Sequence, residues 1–165
     1  MQGKIRIQDI LYNSSVDGTG FRDVVFVNYC PHRCEGCHNI ETWDEKNGRY
    51  VSVNEVFSCL VKSSITNVTF SGGEPFCQAG VLCELARMIH EKTNKDIWIY
   101  SGYTFEEIIK DAKMLELLKE CKVLVDGKFI ISKKGLNLRF IGSSNQRILD
   151  VQKSLDAGLP VQADI

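Results

Sequence analysis

The chain has 165 residues, of which 44% are hydrophobic and 25% are charged, and its formal net charge at pH 7 is −1. This composition is typical of globular proteins and predicts one domain, residues 1–165, that is large enough to bury a hydrophobic core. The near-zero charge argues against nucleic acid as a partner. The sequence predicts neither a membrane-spanning segment nor a signal peptide.

The first half of the chain alternates predicted strands with a predicted helix. β-branched and aromatic residues favour strands, whereas apolar residues three and four positions apart favour a helix. Ser52 and Glu55 form a capping box, in which each side chain bonds a backbone amide at the start of a helix. The predicted elements are strands at residues 4–10, 21–29 and 66–71 and a helix at residues 53–63.

The second half continues this alternation. Thr104 and Glu107 form a second capping box, which opens a helix that we expect to end near Lys119. The other predicted elements are a helix at residues 78–93 and strands at residues 96–101, 122–126 and 138–141. Weak periodicity after residue 147 permits no assignment. Strands that alternate with helices pair in parallel through right-handed crossovers, so the predicted fold class is α/β.

Three cysteines follow the second predicted strand closely. Cys30, Cys34 and Cys37 have the spacing C-x3-C-x2-C, which lets three thiolates surround one metal centre. Thiolates select soft metals: zinc, copper(I) or an iron–sulfur cluster. Because a four-iron cluster ordinarily takes four cysteines, three would leave one iron open to a further ligand. Structural zinc, with His32 or His38 as a fourth ligand, and free thiols are the alternatives.

The remaining cysteines carry no predicted function. Seven cysteines without an export signal predict a reducing, cytoplasmic environment, in which thiols bind metals instead of pairing. Cys59 and Cys83 fall within predicted helices and are interpreted as packing residues. Cys77 is interpreted as a bystander of the metal site, and Cys121 is left without a role.

Further glycines and polar residues follow the later strands. They are Gly72, Gly73, Glu74 and Pro75 after residues 66–71, Ser101, Gly102 and Tyr103 after residues 96–101, and Gly127 after residues 122–126. The carboxyl ends of parallel strands lie at one edge of the sheet, where ligands bind. We therefore expect these loops and the cysteines to converge on one site, which a structural zinc knuckle would not require.

The cysteine spacing followed by Gly-Gly-Glu-Pro resembles the radical S-adenosylmethionine (SAM) superfamily. Within it the chain is most similar to glycyl-radical activases, in particular those of anaerobic ribonucleotide reductase. The resemblance covers residues 17–20, 30–43, 71–75, 98–103, 125–129 and 142–147. Gly36 stands where many superfamily members have an aromatic residue. The activases resemble this chain in that respect, so the difference favours the activase family. Thr19 stands where activases often have proline. This difference bears only on the rigidity of the turn formed by residues 17–20.

The resemblance implies a set of ligand-binding residues. The [4Fe–4S] cluster would be held by Cys30, Cys34 and Cys37, and SAM would be contacted by Gly36, Cys37, His38, Gly72, Gly73, Glu74 and Ser101. The open iron would take the amino and carboxylate groups of SAM, and Gly36 to His38 would lie against its nucleotide. In the family, the reduced cluster cleaves SAM to a 5′-deoxyadenosyl radical, which removes a hydrogen atom from a glycine of the reductase.

The implied partners are the anaerobic ribonucleoside-triphosphate reductase and a low-potential electron donor such as flavodoxin or ferredoxin. A complete eight-unit barrel needs at least about 200 residues, so we expect a partial, open TIM-like barrel of about four to six mainly parallel strands with helices on the outside. Three alternatives remain: a radical SAM enzyme acting on a small molecule, similar to 7-carboxy-7-deazaguanine synthase; an activase of another glycyl-radical enzyme; and an electron-transfer or structural metal module.

Overall fold

One sheet of seven strands runs through the computed structural model, which describes residues 3–165. The strands are β1 (Lys4–Ser14), β2 (Arg22–Val27), β3 (Arg49–Ser52), β4 (Asn67–Gly72), β5 (Ile97–Tyr100), β6 (Val123–Asp126) and β7 (Arg147–Asp150). Their order across the sheet is β3-β1-β2-β4-β5-β6-β7. Strands β2, β4, β5 and β6 are parallel, whereas β1 pairs antiparallel with β2 and β3, and β7 pairs antiparallel with β6.

Helices lie in three of the six connections between these strands, and one more helix follows β7. They are α1 (Val53–Leu60), α2 (Ala79–Lys92), α3 (Phe105–Ile108), α4 (Ala112–Lys119) and α5 (Val151–Ala157), with short 3-10 turns at Ile40–Thr42, Glu45–Asn47, Pro75–Gln78 and Ile131–Lys133. Both predicted capping boxes are confirmed, Ser52 with Glu55 at α1 and Thr104 with Glu107 at α3. Within residues 3–165, no helix has the length and apolar character needed to cross a membrane.

The two faces of the sheet are covered differently. Phe70 of β4 and Ile99 of β5 are fully buried in the main core, together with Leu82 of α2. Because side chains alternate along a strand, Trp98 of β5 faces the other side, where Phe140 packs edge-on against it at a ring separation of 5.4 Å. The main hydrophobic core therefore lies on the helix-covered face, and a loop covers part of the opposite face.

The register of the parallel strands brings their carboxyl ends level. Val27, the last residue of β2, is paired with Gly72, the last residue of β4, and Phe70 of β4 is paired with Ile99 of β5. The segments that follow these three strands therefore start side by side. The cysteines, the Gly72–Glu74 turn and the Ser101 loop all leave the sheet at this edge.

The prediction of an α/β fold with an open sheet is confirmed. Strands β3 and β7 are the two edges, and the pairings described within residues 3–165 do not join them. The sheet has seven strands instead of the expected four to six. That this sheet corresponds to part of a TIM-like barrel stays a prediction.

Edge strands and connections account for the differences from prediction. The strand predicted at residues 138–141 is wrong: Phe140 has a φ of 65°, which an extended strand does not adopt. Strand β1 is antiparallel to β2 because a short turn joins them, and a parallel pair would need a long crossover. The helix predicted to reach Lys119 is divided, because the Asp111 side chain accepts a bond from the Met114 amide and caps α4 separately.

An ion pair fastens β7 to β6 near the edge where the loops converge. Arg147 donates bonds of 2.9 and 2.5 Å to the two carboxylate oxygens of Asp126, which is 1% exposed. The same guanidinium donates to Glu106 and holds the pKa of that carboxyl at about 2. Asp126 also accepts a bond from the Phe105 amide at the start of α3. One arginine thus joins β6, β7 and α3.

We expect Arg147→Met to lower the free energy of unfolding by about 2–3 kcal/mol, because it leaves the buried Asp126 carboxylate without its counter-charge. The value is below that of a fully buried pair, since the Arg147 side chain is 33% exposed. Denaturant unfolding measures the change. Arg87→Met is the control: Arg87 is 55% exposed in its pairs with Glu116 and Glu120, so a much smaller loss is expected. Equal losses in the two variants would contradict this account.

Candidate functional site

A cavity of about 140 Å³ lies at the carboxyl edge of the four parallel strands. It is lined by Cys30, Cys34, Cys37, Asn39 and Trp43 after β2, by residues 71–74 at the end of β4, by residues 100–102 at the end of β5, and by Gly127 and Phe129 after β6, with His32 and Gln146 completing the wall. The structure therefore brings together most of the predicted site residues: the three cysteines, Gly72, Gly73, Glu74 and Ser101.

The cysteine loop is tied at its base. The Tyr29 amide donates to the Thr42 carbonyl at 2.6 Å, and the Cys30 amide donates to the Trp43 carbonyl at 3.4 Å, so the start and the end of the loop are joined. Tyr29 has a φ of 87°, an unusual conformation for a residue with a large side chain. This backbone turns the chain sharply out of β2 and directs Cys30 into the cavity wall.

The three sulfurs are free thiols on partly buried residues. Burial raises the pKa of Cys30 and Cys34, and nearby backbone N–H groups act in the opposite direction. Cys37 accepts a bond of 3.4 Å from the Asn39 amide. Within residues 3–165, no three His, Cys, Asp or Glu side chains are grouped closely enough to bind one metal ion. In a four-iron cluster each cysteine binds a different iron, so its ligands are spread more widely.

Glu74 connects the loops that form the cavity. Its carboxylate is 0% exposed and accepts bonds from the Phe76 amide at 3.1 Å, the Ser101 hydroxyl at 2.9 Å and the Gly102 amide at 2.9 Å. His32 Nε2, within the cysteine loop, bonds the same carboxylate at 2.7 Å. All four donors come from the protein itself, so Glu74 fixes the positions of three loops.

His32 is a residue whose position the sequence did not predict. In the zinc alternative His32 or His38 was a possible fourth ligand, whereas the structure pairs the Nε2 of His32 with Glu74 and packs its ring edge-on against Tyr103 at 4.5 Å. A side chain at Gly102 would lie 2.4 Å from the His32 ring, so Gly102 provides the space for it. Its location between Cys30 and Cys34 was the signal that it belongs to the site.

The two glycines before Glu74 are required by the main chain beside them. A Cβ on Gly72, whose φ is 98°, would lie 2.7 Å from the Val27 carbonyl oxygen, and a Cβ on Gly73 would lie 2.3 Å from the Tyr29 carbonyl oxygen. The Gly73 amide donates to Val27 at 2.8 Å and the Glu74 amide donates to Tyr29 at 2.8 Å. The glycines thus let the turn after β4 lie directly against the base of the cysteine loop.

Two predicted site residues lie outside this cavity. Gly36 has a φ of 76°, and a Cβ there would meet the Ile131 side chain at 2.7 Å. His38 packs near Phe129 at a ring separation of 5.5 Å and lines a neighbouring groove of about 550 Å³. Tyr100 lines both the groove and the cavity. The groove extends the site along the loop-covered face of the sheet.

The donor set suits an iron–sulfur cluster. Three thiols line one cavity, and the Asn39 amide donates a hydrogen bond to the Cys37 sulfur, a kind of contact that cluster-bound sulfurs also make. The indole Nε1 of Trp43, another lining residue, is shielded from solvent and has no hydrogen-bond acceptor among the described residues. Sequence reasoning gave Trp43, Asn39, Tyr100 and Phe129 no role of their own, although all four lie within the stretches that carry the resemblance.

Comparison with known proteins decides the family. Residues 16–149 match a family model described as a 4Fe-4S single cluster domain. Proteins named anaerobic ribonucleoside-triphosphate reductase-activating protein are 39% identical in Enterobacteria phage T4, 38% in Vibrio cholerae serotype O1 and 33% in Escherichia coli K12, each over 141 residues. These alignments cover 81%, 81% and 79% of this chain and 86%, 90% and 89% of the relatives. The chain belongs to this family of activating proteins.

Membership in the activating-protein family favours the iron–sulfur interpretation of the cysteines over zinc. The matched domain extends from the turn before β2 to β7, so it includes the cysteine loop, the Gly72–Glu74 turn and the Ser101 loop. The description of the domain names a single four-iron cluster. It leaves the identity of the cluster ligands and of any second ligand to be derived from the site itself.

Proposed function

We propose that this chain is a radical SAM activase that generates a glycyl radical on the anaerobic ribonucleoside-triphosphate reductase. Cys30, Cys34 and Cys37 would hold a [4Fe–4S] cluster through three of its irons. When bound, the cluster supplies the electron that cleaves SAM into methionine and a 5′-deoxyadenosyl radical. That radical takes a hydrogen atom from a glycine of the reductase, which leaves 5′-deoxyadenosine and a glycyl radical.

The observation that carries the proposal is the shared wall of the cavity. All three cysteines line it together with the Gly72–Glu74 turn, which begins 35 positions after Cys37, and with Ser101, which comes 27 positions after Glu74. A metal site with a purely structural role needs no such convergence of three loops. A second ligand beside the cluster does, because it must be held by groups from several directions.

Gly72, Gly73, Glu74 and Ser101 are proposed to hold the methionyl part of SAM, and Gly36, Cys37 and His38 its nucleotide. Glu74 acts here by position: it holds the Ser101 hydroxyl and the Gly102 amide while also bonding His32 of the cysteine loop. The groove lined by His38 and Tyr100 continues from the cavity and offers room for the larger part of the ligand.

The open sheet is proposed to act as part of a barrel whose missing side admits the substrate. A radical that abstracts hydrogen must be shielded from solvent and stray donors. A glycine-bearing segment of the reductase, entering from the open side, would both provide this cover and deliver the reacting hydrogen. A flavodoxin or ferredoxin would supply the electron. The seven free thiols fit a reducing, cytoplasmic environment.

The test is an anaerobic incubation of the dithionite-reduced, iron-loaded protein with SAM and the reductase. We expect the doublet of a glycyl radical in the electron paramagnetic resonance (EPR) spectrum, together with 5′-deoxyadenosine and methionine in equal amounts. Omitting SAM, or replacing the protein with its Cys34→Ala variant, should remove the doublet. Rapid SAM-dependent turnover of a small metabolite with no doublet on the reductase would favour the small-molecule alternative and overturn the proposal.

A further inference from the structure

The part of the chain that leads from β6 into β7 carries positive charges and no negative charge. Residues 127–149 contain five Lys or Arg residues and no Asp or Glu, although the whole protein has 20 Lys and Arg residues and 21 Asp and Glu residues. One of the five, Arg147, is used in the ion pair with Asp126. The other four are exposed and form no ion pair within residues 3–165: Lys128, Lys133, Lys134 and Arg139. The described chain therefore leaves these charges unbalanced.

Hydrogen bonds hold the first part of this run, residues 128–134, in one conformation. We call these residues the basic segment. The Ile130 amide donates to the hydroxyl of Ser143, which is 0% exposed, at 3.1 Å, and the Ser144 amide donates to the Lys133 carbonyl at 2.9 Å. The lysines are thus carried on a fixed backbone, and the residues just before β7 are what fix it.

The basic segment packs against the cysteine loop. Gly36 lies between Cys34 and Cys37, and a Cβ there would be 2.7 Å from the Ile131 side chain. Phe129 of the same segment lines the cavity together with these cysteines. Ile131 is nevertheless 47% exposed, so one apolar side chain touches the cysteine loop and is also accessible from outside. An exposed apolar side chain surrounded by charged residues is typical of a protein–protein contact, which has an apolar centre and a polar rim.

The location of this surface favours an electron donor over the reductase as its partner. The glycine of the reductase must reach SAM, which is proposed to extend into the groove lined by residues 136–142. An electron donor must only come close to the cluster, and the basic segment lies beside two of the three proposed ligands. The cysteine loop adds Arg33 and Glu35, whose formal charges offset each other. Unpaired lysines speed the encounter with an acidic protein, and contacts between redox proteins are typically small.

We infer that the basic segment is the docking surface for a small, acidic electron-donor protein, which contacts Ile131 and is steered by the lysines of the segment. This inference rests on the proposed function, because a donor is required only where a cluster must be reduced. One electron passes from the reduced donor to the oxidised cluster, so the donor is oxidised and the cluster is reduced by that electron, and no covalent bond forms or breaks. The reductase would use the groove and the donor the basic segment, so each has its own surface.

The first experiment measures the binding of an acidic flavodoxin to the full chain, with and without reconstituted iron, by isothermal titration calorimetry. At low salt, where charges act over longer distances, combining Lys133→Glu with Lys134→Glu should weaken binding by at least about tenfold. The matched control combines Lys110→Glu with Lys113→Glu, the same charge change at two exposed lysines that lie outside the basic segment and the cavity, and should bind almost as tightly as the wild type. Equal binding by both double variants, or no binding to the wild-type protein, would overturn the inference.

A second experiment separates the donor from the reductase. Stopped-flow mixing of reduced flavodoxin with the iron-loaded protein should show slower oxidation of the flavin by the variant with both Lys133→Glu and Lys134→Glu, whereas dithionite-reduced variant should still form the glycyl doublet on the reductase. Normal flavin oxidation with loss of the doublet would make the basic segment a reductase surface and overturn the inference. Iron and sulfide analysis of the wild-type protein tests the proposed cluster separately, and binding to the iron-free chain tests the surface without it, so the two failures give different results.

Discussion

Replacing Cys34 with alanine is expected to abolish the four-iron cluster while leaving the fold intact. Cys34 lies in a loop whose start and end are joined by backbone bonds from Tyr29 and Cys30, and its side chain does not belong to the main core. Its loss removes one of three protein ligands, so the remaining two thiolates would hold the cluster too weakly for reconstitution. Stability without iron should change by less than about 1 kcal/mol, as for substitutions outside the core.

Iron and sulfide analysis, the visible absorption of the reconstituted protein and thermal unfolding of the iron-free protein measure these effects. Cys77→Ala is the matched control, because Cys77 is an exposed thiol that does not line the cavity. We expect it to keep the full cluster. A Cys34→Ala protein with four irons and normal SAM cleavage would end the ligand assignment, and cluster loss in Cys77→Ala would show that this cysteine is not a bystander.

Gly73→Ala is expected to damage both halves of the site at once. The new Cβ would lie 2.3 Å from the carbonyl oxygen of Tyr29, and a backbone atom cannot rotate away as a side chain can. The turn after β4 must then separate from the base of the cysteine loop, which breaks the bond from the Glu74 amide to Tyr29. We expect unfolding free energy to fall by about 1–3 kcal/mol, as for overpacking elsewhere, with reduced iron content and weaker SAM binding.

Gly80→Ala is the control for this variant. Gly80 lies in α2, and a Cβ there has no atom within 4 Å, so the same chemical change should instead stabilise the helix by about 1 kcal/mol. Denaturant unfolding, iron analysis and equilibrium SAM binding provide the comparison. If Gly73→Ala kept wild-type stability and iron content but lost SAM affinity, space for the ligand, and not contact with Tyr29, would be the reason for this glycine.

The sequence predicted the central part of the fold because local and global signals agree there. Phe70 and Ile99 lie in short segments rich in β-branched and aromatic residues, with apolar side chains buried by the helices, and both capping boxes marked helix starts correctly. The strands at the edges of the sheet were harder to predict from the sequence. Strand β3 contains exposed Arg49 and Tyr50 and shows no apolar alternation, so only its pairing with β1 makes it a strand. Likewise, the apolar residues around Phe140 gave no sign of its positive φ, which excludes the strand predicted there.

The location of the candidate site could be predicted from the sequence, but the contacts between its residues could not. The rule that loops after parallel strands share an edge brought Cys30, Gly73 and Ser101 to one place. It could not reveal that the Glu74 carboxylate is hydrogen-bonded to four groups of the protein, because those bonds join residues up to forty-two positions apart. Nor could it show that Gly73 faces Tyr29, since close approach of two main chains depends on the register between strands.

The single carboxylate of Glu74 makes the two binding events of the proposed reaction interdependent. It is bonded to His32 on the cysteine side and to Ser101 and Gly102 on the other, so neither loop can shift without changing the bonds of the other. Because the open iron is also a proposed ligand of SAM, the cluster is expected to strengthen SAM binding, and thermodynamic reciprocity then requires that SAM strengthen cluster binding by the same factor. Oxygen damage that removes the iron would consequently weaken the hold on SAM as well, which would keep a cluster-free protein from sequestering the cosubstrate.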